Sequence, residues 1–304
     1  MTIRSGVTRT VDTYPELLLV LIAAVVGLSV GRPLRWVGGH QGINILLAIL
    51  VFATAVTVST DSLRRLTSSW KQLAAALVIG ITVLPALSWL ASRIVAAGSL
   101  RDGIMVIGIA PCEIASVATT ALAGGEAALA AAVLIGSTAL SVALAGVILS
   151  LEANQAHVHP LHILVNLVIV VALPLVAGLV VGAKAQLSGA READATKIAT
   201  AALVGLVALV AAQAHIGVAY GAVLVAIVII VAVSAVMGLA LGRTTTKTRA
   251  TPLLLTISMR DFAIAAGLAS TAFGPSSAAP LGLYGVVVII WGTAVAGRLR
   301  ARQL

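Results

Sequence analysis

Three ionisable side chains lie inside long apolar stretches of this sequence: Glu113 in "GIAPCEIASVATT", and Arg260 with Asp261 in "TISMRDFAIAAG". A charge in an apolar interior is costly unless it is paired or serves a ligand, so such residues usually mark the path of a substrate or an ion. Arg260 and Asp261 could instead only hold two helices together, since neighbouring opposite charges offset one another. Because all three charges fall on two matching segments, we favour a binding site.

The elements that must position these residues are membrane-spanning helices. The chain has 304 residues, of which 60% are hydrophobic and 10% are charged, and its mean hydropathy is +1.14. Apolar stretches of about 20 residues, enough to cross a bilayer core as a helix, use most of the chain. The sequence therefore predicts an all-α polytopic membrane protein with ten spans in a single domain, 1–304. We number the spans in chain order: 15–31, 42–60, 72–92, 103–123, 126–151, 161–183, 197–213, 216–241, 251–273 and 278–297.

The positive charges indicate an orientation. Only Arg32, Arg35, Arg93 and Arg101 fall in the loops on the far side from the N-terminus, whereas most of the 19 Lys and Arg residues fall on the near side. The positive-inside rule then predicts that both termini are cytoplasmic, in a plasma (inner) membrane. The net charge of +9 is thus a topology signal, and we expect the partner to be the lipid bilayer and not nucleic acid.

The two halves of the sequence resemble each other. "GLSVG" (27–31) in span 1 matches "GLVVG" (178–182) in span 6, and 111–125 in span 4 can be laid on 259–274 in span 9, which sets Glu113 over Asp261. A duplicated unit of five helices enters the membrane from opposite sides. We therefore expect two inverted repeats, about 15–151 and 161–300.

Spans 4 and 9 are expected to be discontinuous. Pro111, followed by Cys112, removes a backbone donor and collides with the preceding turn. The freed backbone groups are tolerated at membrane depth only where they face protein or a water-filled cavity. Span 9 has no proline at the matching point, so its break is predicted from the pairing alone.

With these segments the chain resembles the bile acid:sodium symporter family. "GIAPCEIASVATTALAGGEAALAAAV" (108–133) is similar to the family's Pro-Gly-Gly-x-x-Ser-Asn segment and the turn after it, and "TISMRDFAIAAGLASTAFGPSSAAP" (256–280) is similar to its Glu-x-Gly-x-Gln-Asn helix. The resemblance implies that spans 4 and 9 cross, that spans 1, 2, 6 and 7 form a panel beside a core of the others, and that the crossing holds two sodium sites beside an organic-anion cavity.

The same resemblance assigns residues to that site. Ser116 matches the family's sodium-binding serine, and the family's glutamate, glutamine and asparagine of span 9 fall on Thr256, Arg260 and Asp261. Other sodium-binding positions fall on side chains that cannot bind sodium, because they carry no oxygen: Val117, Ala130 and Leu134.

These departures suggest a hypothesis for coupling. Arg260 would place a permanent positive charge about where the family places a mobile one, with Asp261 and Glu113 as counter-charges. Two unit charges about 4 Å apart repel by roughly 4 kcal/mol at an effective dielectric near 20, which is about three orders of magnitude in ion affinity. Sodium coupling should then be weakened. A proton carried by Glu113, a remaining sodium site near Ser116, and uncoupled exchange stay open as alternatives.

The expected function is secondary active transport of a small or amphipathic organic anion, drawn to the crossing by the positive ends of the half-helices and by Arg260. No cofactor is expected beyond Na⁺ or H⁺ as a coupling ion. The histidines of "HVHPLH" (157–162) are expected to be loop residues and not a metal site. A passive pore is the alternative of another class, whereas an enzyme is not expected, because an intramembrane protease would need paired aspartates or a serine with a histidine within the spans.

Overall fold

The computed structural model describes residues 15–57, 69–153, 159–185, 189–214 and 217–301. Regular structure in these ranges is helical, apart from one isolated antiparallel bridge between Cys112 and Arg260. The α-helices are α1 (Pro15–Val30), α2 (Arg32–Val37), α3 (Ile43–Val56), α4 (Trp70–Val78), α5 (Leu84–Ser92), α6 (Ser99–Val106), α7 (Ala115–Leu122), α8 (Ala127–Ala153), α9 (Pro160–Leu167), α10 (Leu173–Ala185), α11 (Gly189–Ala212), α12 (Ala219–Gly242), α13 (Lys247–Ser258), α14 (Phe262–Phe273) and α15 (Ala279–Ala301).

The protein is an integral membrane protein. Within the described ranges, 7 helical segments are long and apolar enough to cross a bilayer: Arg32–Val56, Trp70–Ser92, Ala127–Leu151, Pro160–Ala183, Ala193–Ala212, Ala219–Gly242 and Pro275–Ala301. Of the other predicted spans, the first is a shorter apolar helix, Leu18–Val30. The fourth and the ninth are each divided into two helices.

Wide π-type turns join several helices into longer rods. Ile79–Val83 leads from α4 into α5, and Val168–Ala172 leads from α9 into α10. Each is followed within two residues by a proline, Pro85 or Pro174, whose missing N–H and bulky ring prevent regular α-helical bonding over the preceding turn. Gly38–Gly42 between α2 and α3 differs from these turns, because His40 (φ −105°, ψ 49°) and Gln41 (φ 66°, ψ 6°) are not helical. The chain kinks there, and α3 begins at Ile43, next to the predicted start of the second span at residue 42.

The helices pack in two groups. In one, α11 lies against both α1 and α3, and α3 also packs on α10. In the other, α12 packs on α13, α5 on α6, α7 on α8, and α14 on both α6 and α15. The groups meet where α15 contacts α1 and α11 and where α14 contacts α3. The broken helices α6–α7 and α13–α14 both belong to the second group.

Glycines let the helices of the first group approach closely. A Cβ atom on Gly27 of α1 would lie 2.3 Å from the carbonyl oxygen of Ala208 in α11. A Cβ atom on Gly178 of α10 would lie 2.5 Å from the carbonyl oxygen of Phe52 in α3. Both glycines belong to the matching "GLSVG" and "GLVVG" segments, so the internal repeat corresponds to a repeated helix contact.

Candidate functional site

The two broken helices meet at their breaks. Residues 111–113 of the first break and 259–261 of the second run antiparallel to each other, with an isolated bridge between Cys112 and Arg260. The backbone N–H of Glu113 donates to the carbonyl of Met259 (2.9 Å), and that of Asp261 donates to the carbonyl of Pro111 (2.8 Å). Each break thus supplies hydrogen-bond partners to the other, which satisfies polar backbone groups that would otherwise be orphaned in an apolar interior.

The second break is formed without a proline. Met259 (φ −109°, ψ 109°) and Asp261 (φ −71°, ψ 107°) are both extended. Asp261 is the N-cap of α14, and its Oδ1 accepts a hydrogen bond from the backbone N–H of Ile264 (2.8 Å). Aspartate is a favoured N-cap, because its carboxylate satisfies a free N–H and complements the positive end of the helix. Asp261 therefore starts a new helix where the pattern of apolar residues alone would continue the old one.

Arg260 is buried, with 4% of its surface exposed, and contacts carbonyl groups of the other break. Its Nη2 donates to the carbonyl of Ala110 and lies 3.5 Å from that of Gly108. Its backbone N–H donates to the hydroxyl of Tyr284 (2.9 Å). A Cβ atom on Gly80 would lie 3.5 Å from Nη1, so a glycine faces the guanidinium. The permanent charge thus lies on carbonyl oxygens just beyond the end of α6, where a cation is favoured.

The expected counter-charges of Arg260 do not contact its guanidinium directly. No carboxylate oxygen of the described residues lies within 4.0 Å of the Arg260 guanidinium, so neither Asp261 nor Glu113 forms a direct ion pair with it. Asp261 caps α14 instead. Adjacent residues in extended backbone point to opposite sides, which explains why the neighbouring charges do not pair.

Glu113 lies at the start of the other half-helix. It is 8% exposed, and its Oε2 accepts a long hydrogen bond from the backbone N–H of Phe262 (3.4 Å). The first residues of α14 are therefore associated with two carboxylates of the protein itself, those of Glu113 and Asp261. The positive end of α14 therefore already has carboxylates of the protein beside it, and the expected attraction of a substrate anion to the helix ends stays a prediction.

Glu113 also borders a cavity between the two helix groups. The cavity has a volume of about 290 Å³ and is lined by Val20 of α1 and Leu203 of α11 on one side, and by residues of α7, α14 and α15 on the other. Its walls are mostly apolar. Among the described residues, Glu113 and Arg300 are the ionisable ones in the lining, and Arg300 lies in the last turn of α15.

Ser116 and Thr256 are both fully buried but differ in their partners. The Thr256 hydroxyl donates to the carbonyl of Pro252 in its own helix (2.7 Å). The hydroxyl oxygens of Ser116 and Thr120, one turn apart on α7, have no hydrogen-bond partner, although Ser116 adjoins the thiol of Cys112. Two buried, unpartnered hydroxyls on one helix face are unusual.

The structure thus brings Pro111, Cys112, Glu113, Arg260 and Asp261 together. Other residues of the site were missed from the sequence. Tyr284 could have been noticed as a tyrosine in the middle of an apolar span, since a buried hydroxyl needs a partner. Nothing in the sequence distinguishes Gly80 from the other glycines.

A second, polar pocket of about 190 Å³ lies near the opposite end of α15. It is lined by Asn44 of α3, Asn166 of α9, and Ser270 and Thr271 of α14. The side-chain amide of Asn166 donates to the Thr271 hydroxyl (2.9 Å). α9 leads into α10 of the first group through Val168–Ala172, so this hydrogen bond joins the two helix groups at the end of the molecule away from the apolar cavity.

Comparison with known proteins shows the family to which the protein belongs. A model of the Sodium Bile acid symporter family matches residues 44–212, more than half of the chain, so the chain belongs to that family and the predicted resemblance is confirmed. The description of that family is one of membrane transport proteins and not of enzymes. The matched range includes Glu113 and Ser116 but ends before Arg260 and Asp261.

A particular relative is the "Uncharacterized sodium-dependent transporter YocS" of Bacillus subtilis (strain 168), which is 27% identical over 195 residues. The aligned stretch covers 64% of this chain and 60% of the relative's length. Both the family description and the relative's name refer to sodium.

Proposed function

We propose that the chain is a secondary active transporter that moves a small or amphipathic organic anion by alternating access. The family is one of transporters. The supporting observation is the crossing of two interrupted helices beside a cavity of about 290 Å³ that separates the two helix groups. A moving boundary between the groups would expose the same site first to one side and then to the other.

We propose further that the chain consists of two inverted repeats with ten spans. The support is the reciprocity of the contacts at the crossing: if Glu113 corresponds to Asp261, then the bond from Glu113 to Met259 corresponds to the bond from Asp261 to Pro111. Two close helix contacts at glycines are reciprocal in the same way. Span 1 packs on span 7 through Gly27, as span 6 packs on span 2 through a glycine of the matching segment.

The orientation is part of the proposal. With both termini cytoplasmic, as the basic residues favour, the cavity that ends at Arg300 opens toward the cytoplasm, and the pocket closed by Asn166 and Thr271 lies outside. The structure then corresponds to an inward-facing state in a plasma membrane.

For the coupling ion, we propose that the Arg260 guanidinium takes the place of one bound cation. Its contacts with the carbonyls of Gly108 and Ala110 use the oxygen ligands that a metal cation would need, and Gly80 leaves it room. A sodium ion about 4 Å away would be repelled by roughly 4 kcal/mol at an effective dielectric near 20. Sodium coupling is therefore weak at this position.

Proton coupling through Glu113 is the second candidate. The observation that favours it is the contact of a buried carboxyl group with a cavity, through which a proton could be exchanged, since an ionisable side chain within a span often belongs to a proton path. A residual sodium site at the unpartnered hydroxyls of Ser116 and Thr120, and uncoupled exchange, are the remaining alternatives.

Uptake of labelled organic acids into proteoliposomes tests these proposals. Accumulation above the external concentration, driven by an imposed sodium or proton gradient, is expected for a transporter, whereas a passive pore only equilibrates the solute. The expected result is accumulation with little sodium dependence. A tight, saturable sodium dependence that disappears in Asp261→Asn would contradict the role of Arg260.

A further inference from the structure

The cavity beside the crossing has unlike charges toward its two ends. Arg300, in the last turn of α15, is exposed. Glu113, at the other end, is 8% exposed and adjoins the start of α14. The stretch of α15 from Ile289, which also lines the cavity, to Arg300 spans roughly 16 Å at 1.5 Å per residue.

The inner end of the cavity is acidic. The guanidinium of Arg260, which is not among the residues that line the cavity, contacts the carbonyl of Ala110 and forms no ion pair with a carboxylate of the described residues. Asp261 places a second carboxylate near Glu113. An anionic group of a solute would be repelled here, whereas a cationic group would meet one carboxylate directly and a second nearby.

The walls next to Glu113 distinguish between kinds of cation. Ala115, Met259, Phe262 and Ile289 line the cavity, and their side chains carry no oxygen. Besides Glu113, the described lining offers two side-chain oxygens, the hydroxyls of Thr119 and Thr293, and the Thr119 hydroxyl donates to the carbonyl of Ala115. A small metal cation prefers several oxygen ligands at once. An ammonium group on an apolar body needs one counter-charge and tolerates apolar walls.

We infer that the solute is amphoteric: an ammonium group lies at Glu113, a carboxylate or sulfonate lies at Arg300, and an apolar body of at most roughly 16 Å joins them. This inference rests on the proposed transport function and changes the expected substrate from an organic anion to a zwitterion, whose carboxylate or sulfonate is the anionic group. It assigns Glu113 and Arg300 as the two residues that determine specificity.

The test is calorimetric binding to the full-length protein in lipid nanodiscs near pH 7. The probes are 12-aminododecanoate and dodecanedioate, which have the same chain length and differ in one terminal group. The native protein is expected to bind the amino acid at least about tenfold more tightly than the diacid. Glu113→Gln should remove that preference, and Arg300→Gln should weaken the binding of both probes by a similar factor. Arg298→Gln, a change of a neighbouring charge outside the cavity lining, is the matched control and should change neither affinity.

A charge reversal at the exposed end provides an independent variant in case Glu113→Gln does not fold. Arg300→Glu should bind 12-aminododecanoate at least about tenfold more weakly than the native protein does. It should bind 1,12-diaminododecane more tightly, because both ends of the cavity are then acidic. Equal or tighter binding of dodecanedioate to the native protein, or binding of neither probe, would overturn the inference.

Proteoliposome uptake separates this inference from the proposed function. Gradient-driven accumulation of dodecanedioate that is unchanged by Glu113→Gln would overturn the inference of an amphoteric substrate, but it would still agree with the proposal that the protein is a transporter. Absence of accumulation for every organic acid under every gradient would overturn both.

Discussion

Replacement of Arg260 by glutamine removes a positive charge from the carbonyl oxygens of Ala110 and Gly108. Removal of a hydrogen bond from a charged donor costs about 1.5–3 kcal/mol, so Arg260→Gln should unfold at a lower temperature in sodium-free buffer. The same change removes a repulsion of roughly 4 kcal/mol on a cation about 4 Å away. Sodium affinity should then rise by up to about three orders of magnitude.

The assay is thermal unfolding of the purified protein in NaCl and in choline chloride at equal ionic strength. If sodium binds Arg260→Gln with a Kd near 1 mM, then 100 mM NaCl stabilises the variant by about 2.7 kcal/mol. The native protein should show little difference between the two salts. Arg260→Lys is the matched control, because it keeps the charge without the planar fork of donors, and it should also respond weakly to sodium.

Two results would refute this reasoning. One is a saturable, millimolar sodium effect on the native protein as large as that on Arg260→Gln. The other is an equal sodium response of the glutamine and lysine variants, since that response would not depend on the charge at position 260.

The other predictions concern packing and the outer closure. Gly27→Ala should lower the unfolding free energy by about 1–3 kcal/mol in thermal or denaturant unfolding, because the new Cβ atom would lie 2.3 Å from the Ala208 carbonyl oxygen. Gly221→Ala is the control, because its new Cβ atom would have nothing within 4 Å, and it should be neutral or stabilising by up to about 1 kcal/mol. An equal loss of unfolding free energy in both variants would contradict the role of Gly27 in helix packing. Thr271→Val removes the hydrogen-bond partner of Asn166. The closed form of the polar pocket beside Asn166 should then lose about 1 kcal/mol of stability, or about fivefold in population. Hydrogen exchange of the backbone amides in the last turn of α14 measures this change, and unchanged protection would contradict the prediction.

The fold could be predicted largely because apolar length and composition determine membrane helices almost directly. Pro111 indicated the first break through its missing N–H. The break at Arg260 was predicted only by laying one half on the other, although Asp261 before an apolar run is itself an N-cap signal.

The details of the site could not be predicted, because they depend on which groups meet across the two breaks. The sequence puts Arg260 beside Asp261 and therefore suggests an ion pair, but extended backbone turns neighbouring side chains apart. The partners of Arg260 are backbone carbonyls of the other half, and backbone groups carry no sequence signal. The same holds for Gly80, whose role is to leave space.

The expected orientation depends on residues at both ends of the chain, 1–14 and 302–304, that lie outside the described residues, as does His157 of the "HVHPLH" segment. The two inverted repeats, the cytoplasmic termini and the coupling ion stay predictions.

The central claim is that two interrupted helices cross and bring Glu113, Arg260 and Asp261 together, and the single cysteine of the chain, Cys112, allows a direct test. Cys112 faces Arg260 across the antiparallel bridge, between the two backbone hydrogen bonds, where Cα atoms lie about 4.5 Å apart, within the range of a disulfide. Mild oxidation of Arg260→Cys in membranes should therefore form a disulfide that holds the two halves together after proteolytic cleavage between them, and Cys112→Ser should abolish it. If both thiols stay reduced under oxidant in folded protein, the two breaks do not meet, and the account is wrong.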